Sequence, residues 1–206
     1  MTRRGYEWGK RALDVAIAVT GIVLTAPFLA VTALAIKLES SGPVIFRQER
    51  VGRQGRSFKI LKFRTMVDEA HTMGAGYLIA EGDARITRVG AFLRERSLDE
   101  LPQLFNILHG EMSVVGPRPT LRYQVDQYTD FQRRRLEVLP GVTGWAQICG
   151  RNGLTWPERI ELDVWYVDNR SLSLDLRILL QTLGVFARPR AIYDEGRGDW
   201  GEGGAS

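Results

Sequence analysis

Residues 10–39 read KRALDVAIAVTGIVLTAPFLAVTALAIKLE, and no charged side chain occurs from Val15 to Ile36. This uncharged run of 22 residues exceeds the roughly 20 apolar residues with which a helix crosses the hydrocarbon core of a bilayer. The run therefore predicts a helix that is embedded in a membrane, and the rest of the chain must fold beside it.

Three membrane topologies fit this segment. A cleaved signal peptide would use Lys10 and Arg11 as its basic region and residues 33–35 as its cleavage site, but the apolar core is too long for that class. A single spanning helix and a re-entrant hairpin are the other two. Pro27 lies near the middle, where its missing N–H bends a helix. Each half is then about a dozen residues, roughly 20 Å long, which is shorter than the ~30 Å core and favours the hairpin.

Basic residues flank the apolar run on both sides. They are Arg3, Arg4, Lys10 and Arg11 before it, and Lys37, Arg47, Arg50, Arg53, Arg56, Lys59, Lys62 and Arg64 after it. Positive charge beside a membrane segment favours the cytoplasmic side. Because a straight span cannot keep both flanks in the cytoplasm, the charge pattern predicts a re-entrant hairpin over residues 1–40, broken at Pro27.

The composition indicates one domain of ordinary size and limits the metals that it can bind. The chain has 206 residues, of which 44% are hydrophobic and 25% charged, with a net charge of +4. Its one cysteine, Cys149, excludes an internal disulfide and suits a reducing compartment. With Cys149, His71 and His109 as the only residues of the usual zinc-ligand types, any metal should be a hard ion such as Mg²⁺.

The chain after the apolar run predicts an α+β domain over residues 41–193, followed by a disordered tail over 194–206. Residues 44–63 alternate apolar and polar side chains around the turn-like GRQG, which predicts a β-hairpin. Its basic side chains are attracted to anionic lipid headgroups, or bind phosphate. Lys62 and Arg64 alternate with Phe63, so we expect them on one face, where a phosphate binds.

The stretch RSLDELPQLFNIL, residues 96–108, places two acids ahead of an apolar helical pattern. Ser97 and Glu100 have the spacing of a capping box, and acids are favoured at a helix start. From these residues alone, Asp99 and Glu100 are a helix cap or a catalytic pair, and the cap is the more ordinary role. A glycine stop at His109-Gly110 is expected to end this helix.

A rigid corner follows in MSVVGPRP, residues 112–119, which predicts a short buried strand leading to Arg118 between two prolines. A fork of donors held on such a corner suits a phosphate or a carboxylate. The Gly-rich loop LPGVTGWAQICGRN that follows ends at Arg151-Asn152, and such loops often carry function.

Two amphipathic helices complete the predicted domain. Thr155 and Glu158 form a capping-box spacing that starts a helix through Asp168. Ser173 is expected to cap the last helix, which packs on the core or lies flat in the membrane interface. Its apolar stripe consists of Leu176, Leu179, Leu180 and Leu183.

Four sequence blocks together resemble one family. They are FKILKFRTM, RSLDELPQLFNILHGEMSVVGPRP, PGVTGWAQICGRN and ELDVWYVDNRSLSLDL. With KRALD and the Pro-broken apolar segment, they are similar to the bacterial sugar transferases, the small monotopic phosphoglycosyl transferases, over about residues 8–190. Each block is a modest signal, but their order and spacing are highly specific.

The resemblance implies a reaction and a location. Such enzymes transfer a sugar-1-phosphate from a UDP-sugar to polyprenol (undecaprenyl) phosphate, with Mg²⁺, and release UMP at the cytoplasmic face of the bacterial inner membrane. By the same match Asp99 would be the nucleophile that forms a covalent phosphosugar intermediate. Glu100, with Asp99 beside it, would hold the Mg²⁺. Lys62, Arg94, Arg118 and Arg151 would bind the substrate phosphates.

Elementary chemistry agrees with these roles. A carboxylate serves as a covalent nucleophile, and phosphoryl transfer mainly needs positioning and charge neutralisation by metal, Arg and Lys. Two other functions remain open: a membrane-anchored basic module that binds anionic lipid or nucleic acid, and a Mg²⁺-dependent phosphohydrolase. The expected partners are the two substrates and membrane lipid, without nucleic acid; a homodimer is compatible with the sequence but not required by it. The sequence leaves the sugar unassigned.

Overall fold

The computed structural model describes residues 3–68, 70, 83–150 and 153–186. Its first element is one helix, α1, at Arg3–Glu39, which continues through Pro27. An interior proline removes one backbone hydrogen bond without necessarily ending a helix that is held by its neighbours. A hairpin with a break at Pro27 is not confirmed by this continuous helix and stays a prediction. Within the described residues, α1 is the one helix long and apolar enough to cross a membrane.

The rest of the described chain is a mixed α+β structure. The strands are β1 at Ile45–Val51, β2 at Ser57–Phe63, β3 at Ser113–Val115 and β4 at Gly141–Thr143. The helices are α2 at Arg88–Glu95, α3 at Gln103–His109, α4 at Arg122–Asp126, α5 at Asp130–Arg133, α6 at Trp145–Cys149, α7 at Trp156–Asn169 and α8 at Leu172–Phe186. Three-residue 3₁₀ turns lie at Arg53–Gly55 and Leu98–Glu100, and a longer one at Arg134–Glu137. The predicted tail over 194–206 lies outside the described residues.

The predicted β-hairpin is confirmed. Strands β1 and β2 pair antiparallel, with Phe46 opposite Lys62. Arg64, just after β2, is buried and donates to the carbonyl oxygens of Ser40 and Ser41, so its guanidinium does not form the predicted phosphate surface with Lys62. This part of the prediction was wrong because the backbone carbonyls of the two residues that follow α1 take the donors of the guanidinium.

The N-terminal half of α1 packs on α3. Arg11 donates from Nη1 to the carbonyl of Ile107 at 2.7 Å and from Nη2 to that of Leu108 at 3.0 Å. It thereby closes the C-terminal end of α3, where carbonyls lack helical partners. Further along, Gly21 lies so close to Leu104 that an added Cβ would meet a side-chain methyl at 3.0 Å.

The C-terminal half of α1 packs on the same globular part of the protein. Ile36 is buried with Leu93 of α2. The carboxylate of Glu39 accepts the backbone N–H groups of Arg88 at 2.8 Å and Val89 at 3.0 Å, which begin α2. Both halves of α1 are therefore attached to one globular unit.

The caps of the later helices follow the predictions in part. Glu158 accepts hydrogen bonds from the N–H and the hydroxyl of Thr155, as the capping-box spacing predicts. Gly110 ends α3 with a left-handed φ of 78°, which favours glycine. The hydroxyl that caps α8 belongs to Ser171, which accepts from the N–H of Leu174, so the predicted cap at Ser173 was wrong.

On α8 the predicted apolar stripe divides between core and surface. Leu179 packs against the cluster of Val115, Tyr166 and Ile178. Three other leucines of the stripe are exposed: Leu176, Leu180 and Leu183. That this face of α8 lies in a membrane interface stays a prediction.

Candidate active site

Asp99 and Glu100 lie on the 3₁₀ turn between α2 and α3, not at the start of a regular α-helix. Ser97, ahead of the turn, is left-handed at φ 54° and makes no capping hydrogen bond with its side chain. The predicted capping box was wrong, because α3 begins only after Pro102 and the carboxylate of Glu100 binds cationic side chains. Both acids still lie in the first turn of the 3₁₀ segment, but a capping box does not account for Glu100.

Glu100 binds two cations from distant parts of the chain. The Nζ of Lys62 on β2 lies 2.8 Å from Oε1 of Glu100, and Nη2 of Arg118 lies 2.8 Å from the same oxygen. Burial acts to raise the pKa of Glu100, but Arg118 and then Lys62 outweigh it and hold that pKa well below its usual range. Glu100 is thus ionised at neutral pH.

The pKa of Asp99 is shifted in the opposite direction from that of Glu100. Burial raises the pKa of Asp99, and the charge of Glu100 acts in the same direction. The positive charges of Lys62, Arg94 and Arg118 act against this rise. When two adjacent carboxylates have pKa values shifted apart, they are suited to separate chemical roles.

Arg94 reaches this turn from α2. Its Nε donates to Oγ1 of Thr65 at 2.7 Å, just beyond β2. Burial lowers the pKa of Arg94, while the nearby charge of Asp99 acts to raise it. The backbone of α2 passes close to Thr65 at Gly90. A Cβ at Gly90 would lie 2.0 Å from the carbonyl oxygen of Thr65, so only glycine allows this approach.

Three predicted site residues, Lys62, Arg94 and Arg118, therefore lie around the turn that carries Asp99 and Glu100. Lys62 and Arg118 contact Glu100, and Arg94 is electrostatically coupled to Asp99. Arg118 keeps 49% of its side chain exposed, so its guanidinium faces both Glu100 and solvent. Arg151 lies outside the described residues.

A family comparison covers nearly the whole chain. The model of the bacterial sugar transferases matches residues 5–189. The chain belongs to the bacterial sugar transferase family. The family that the four sequence blocks predicted is confirmed.

Curated relatives of this sugar transferase carry related names. It is 45% identical over 174 residues to the "uncharacterized sugar transferase EpsL" of Bacillus subtilis, covering 84% of this chain and 85% of the relative. It is 46% identical over 194 residues to the UDP-glucose:undecaprenyl-phosphate glucose-1-phosphate transferase of Caulobacter vibrioides, covering 89% and 71%. A UDP-N-acetylgalactosamine-undecaprenyl-phosphate N-acetylgalactosaminephosphotransferase of Aeromonas hydrophila is 44% identical over 184 residues, covering 86% and 43%. The chain thus spans most of two of these relatives and less than half of the third. Their names support the predicted enzyme class, a phosphoglycosyl transferase.

The carboxylates of the sugar transferase fit a magnesium ion that is shared with substrate. Among the residues that the structure describes, no three His, Cys, Asp or Glu side chains meet to form a complete metal cage. Mg²⁺ is usually bound through one or two carboxylates together with substrate phosphates and water. Asp99 and Glu100 would be those carboxylates, and both ion pairs of Glu100 use Oε1 rather than Oε2.

Two residues near the turn were missed by the sequence analysis. Thr65 holds Arg94, as described above. Asn106 of α3 is 1% exposed; its amide donates to the carbonyl of Lys59 at 2.8 Å and accepts from the N–H of Leu61 at 3.0 Å. It thus pairs with the free edge of β2 as a strand would. The sequence contained one signal for this role: Asn106 lies between Phe105 and Ile107 in an apolar helix, and a buried amide needs hydrogen-bond partners.

Proposed function

We propose that this sugar transferase moves a sugar-1-phosphate from a UDP-sugar to polyprenol phosphate and releases UMP, at the cytoplasmic face of the bacterial inner membrane. The observation that carries the proposal is the pairing of Lys62 and Arg118 on Glu100, directly beside Asp99. The names of the relatives support the donor and acceptor classes, since they include UDP-glucose, UDP-N-acetylgalactosamine and undecaprenyl phosphate.

In the first step, Asp99 acts as the nucleophile. An oxygen of its carboxylate bonds to the sugar-bearing phosphorus while the bond from that phosphorus to the bridging oxygen breaks. The bridging oxygen leaves with the electron pair as part of UMP. Lys62, Arg94 and Arg118 lie where they would stabilise the negative charge of the diphosphate in this step.

In the second step, the acceptor restores the carboxylate. A phosphate oxygen of the polyprenol phosphate bonds to the same phosphorus, and the bond to Asp99 breaks. Two successive displacements at one carboxylate predict ping-pong kinetics. Bound Mg²⁺ would neutralise charge on the substrate phosphates. Glu100, which its cation partners keep ionised, would hold it with Asp99.

The proposed membrane arrangement is a re-entrant α1 that enters and leaves on the cytoplasmic side. It is supported by the attachment of both halves of α1 to one globular unit. It is also supported by exposed apolar side chains such as Val23 and Leu24, at 67% and 74%, which lipid would cover. The arrangement requires α1 to bend at Pro27, because a straight helix that spanned the bilayer would place its two ends on opposite sides.

Cysteine labelling tests this arrangement. In a Cys149→Ser background, single cysteines replace the exposed residues Trp8 and Leu38 near the two ends of α1. An impermeant maleimide is applied to inverted and to right-side-out membrane vesicles. Labelling of both positions from the cytoplasmic side supports the hairpin, whereas labelling from opposite sides contradicts it.

The reaction is tested with detergent-solubilised protein, Mg²⁺, polyprenol phosphate and a panel of UDP-sugars. We expect UMP release with a matching donor, dependent on lipid and metal, and lost in Asp99→Asn. Asp126→Asn is the matched control, because Asp126 is an exposed acid on α4. Without acceptor, wild type should release one UMP per enzyme and gain the mass of one sugar phosphate, which Asp99→Asn should not.

Other outcomes of the same experiment favour the alternatives. Continuous sugar-phosphate production without any acceptor indicates a phosphohydrolase. Full activity of Asp99→Asn shows that another group is the nucleophile. Salt-dependent binding to anionic lipid or nucleic acid that survives loss of Asp99, without UMP release, favours the basic module. Homodimer formation stays a separate prediction.

A further inference from the structure

A buried ion pair lies behind the candidate site. Arg135 is in the 3₁₀ turn at Arg134–Glu137 and Asp163 is in α7. Their side chains are 2% and 3% exposed, and Nη2 of Arg135 lies 2.5 Å from Oδ2 of Asp163. Burying two charges costs a large desolvation free energy. A gain in folding stability therefore does not by itself explain why the protein contains this pair.

The same guanidinium reaches the corner that carries Arg118. Nη2 of Arg135 donates to the backbone carbonyl of Arg118 at 2.9 Å, and its Nη1 donates to the hydroxyl of Tyr128 at 2.6 Å. The Tyr128 hydroxyl in turn donates to Oγ1 of Thr120 at 3.2 Å. One buried guanidinium therefore connects Asp163 with both sides of the Pro-Arg-Pro corner.

Backbone hydrogen bonds hold the rest of this corner. The carbonyl of Pro117 accepts from the N–H of Gly141 at 2.8 Å, and that of Thr120 accepts from the N–H of Val51 at 2.9 Å. Proline lacks an N–H, so residues 117 and 119 contribute no donor of their own. Of the three carbonyls at 117, 118 and 120, the one at Arg118 is held by a side chain, that of Arg135.

We propose that the Arg135–Asp163 pair is a positioning pair that sets the Arg118 guanidinium against Glu100. The inference rests on the proposed function, in which Arg118 binds substrate phosphate. Arg118 is half exposed and its long side chain is flexible, so its place depends on the backbone that carries it. Asp163 and Tyr128 keep the Arg135 guanidinium aimed at the Arg118 carbonyl, because the guanidinium is a planar, rigid fork whose direction is fixed by the partners that it binds.

A neighbouring ion pair provides a matched control. Arg134 and Asp168 join the same turn to the same helix, but their side chains are exposed to solvent, and the other ion pair of Arg134 is with Glu137 of its own turn. Arg135→Met with Asp163→Leu replaces the buried pair by apolar side chains, an exchange that is often neutral or stabilising for folding. Arg134→Met with Asp168→Leu makes the same chemical change at the surface.

The first readout is kcat/KM for UMP release. We expect a loss of about 10- to 100-fold in the buried-pair variant, because a misplacement of about 1 Å has effects of that order. The surface-pair variant should stay within about twofold of wild type. A buried-pair variant with wild-type kcat/KM overturns the inference.

The deciding readout is a double-mutant cycle with Arg118→Ala. If the pair acts through Arg118, replacing it in the Arg118→Ala background should cost less than about threefold. If the full loss recurs in that background, the pair supports the fold as a whole and the inference is overturned.

Arg135→Lys keeps the inference testable if the apolar double variant does not fold. Lysine retains a positive charge opposite Asp163, but one ammonium cannot reproduce the guanidinium fork. The same loss and the same non-additivity with Arg118→Ala are expected. Wild-type kcat/KM in Arg135→Lys contradicts the positioning role.

UDP binding separates this inference from the proposed reaction. If wild type releases no UMP from any donor, the proposed function fails, and the cycle is read from UDP dissociation constants instead. Weaker UDP binding in the buried-pair variant that vanishes in the Arg118→Ala background supports the positioning role. Equal UDP affinity in wild type and the buried-pair variant overturns it.

Discussion

Lys62 and Arg118 donate to the same oxygen, Oε1 of Glu100, each at 2.8 Å. One comes from β2 and the other from the corner after β3, so the carboxylate joins two segments that are distant in sequence. Both cations also face Asp99, whose pKa they act to lower. The ion pairs therefore hold these two segments together at the turn.

Removing the charge of Lys62 should reduce catalysis strongly. Lys62→Met takes away one of the two cations on Glu100 and the positive charge that most lowers the pKa of Asp99. We expect kcat/KM for UMP release to fall on the order of 100-fold, as when one electrostatic donor is removed from an active site. Steady-state kinetics measure the change.

Lys59→Met is the control for this prediction. Lys59 is an exposed cation on the same strand, and the alternation of a strand directs it to the face opposite Lys62. Its kcat/KM should stay within about twofold of wild type. Equal losses in the two variants would mean that general positive charge on the hairpin matters, not the contact with Glu100.

Gly90→Ala should destabilise the protein and move Arg94. The added Cβ would lie 2.0 Å from the carbonyl oxygen of Thr65, so the backbone of α2 must shift. We expect a loss of about 1–3 kcal/mol in the free energy of unfolding, as for other overpacked sites, and weaker UDP binding. Chemical denaturation and UDP titration measure the two effects.

The matched variant is Gly184→Ala on α8. A Cβ there meets no heavy atom within 4 Å, so only helix propensity changes. Alanine should stabilise this position by up to about 1 kcal/mol. If both glycines respond with the same sign, the close approach of α2 to Thr65 is not the cause.

Asn106→Asp should be more destabilising than an ordinary polar exchange. The new carboxylate cannot donate to the carbonyl of Lys59, and it faces Glu111, to whose carboxylate the Asn106 amide now donates at 2.7 Å. An unsatisfied buried group of this kind costs about 1–3 kcal/mol, and more when it is charged. Asn169→Asp, at an exposed helix end, should cost less than about 1 kcal/mol; similar losses in both variants would argue against the strand-edge role.

The buried pair of Arg135 and Asp163 should give stability a defined pH dependence. Burial raises the pKa of Asp163 to about 6, although Arg135 and Arg159 act to lower it. The folded state then holds this proton between about pH 4 and pH 6, where the unfolded chain has lost it. The contribution of Asp163 to stability is therefore fully present below about pH 4 and is lost as the pH rises through about 6.

Thermal unfolding tests this dependence by comparison with Arg135→Met/Asp163→Leu, which cannot titrate at these positions. Relative to that variant, wild type should become less stable from pH 4 to pH 6, and the difference should be constant above pH 7. A constant difference over the whole range would show that the pKa of Asp163 is not raised.

The local features of the fold could be predicted from the sequence. The hairpin over residues 44–63, the cap of α7 at Thr155 and the end of α3 at Gly110 depend on neighbouring residues, and their patterns were sufficient. Arg118 was predicted on a rigid corner because its two prolines are adjacent in the chain. That it meets Glu100 depends on the packing of β3 and β2 around the turn, which no local pattern contains.

The errors at Ser97 and Arg64 share one physical cause. Ser97 and Glu100 have the spacing of a cap, but Glu100 gains more from two cations than from a backbone N–H. Arg64 was assigned to a phosphate surface, but the carbonyls of Ser40 and Ser41, just after α1, take its donors. In each case a long-range partner outweighed the local preference. The Arg135–Asp163 pair was missed for the same reason, since neither residue has a local signature.

The caps that α1 provides have a consequence for how this protein can be divided. Arg11 closes the end of α3 and Glu39 closes the start of α2, the two helices on either side of the reactive turn. A fragment that begins after residue 40 would lack the hydrogen bonds of both side chains, and these helix ends would keep their local caps at Thr87 and Gly110. The predicted domain boundary near residue 40 is therefore crossed by side-chain hydrogen bonds that reach both helices. Because synthesis proceeds from the N-terminus, each cap is made before the helix that it completes.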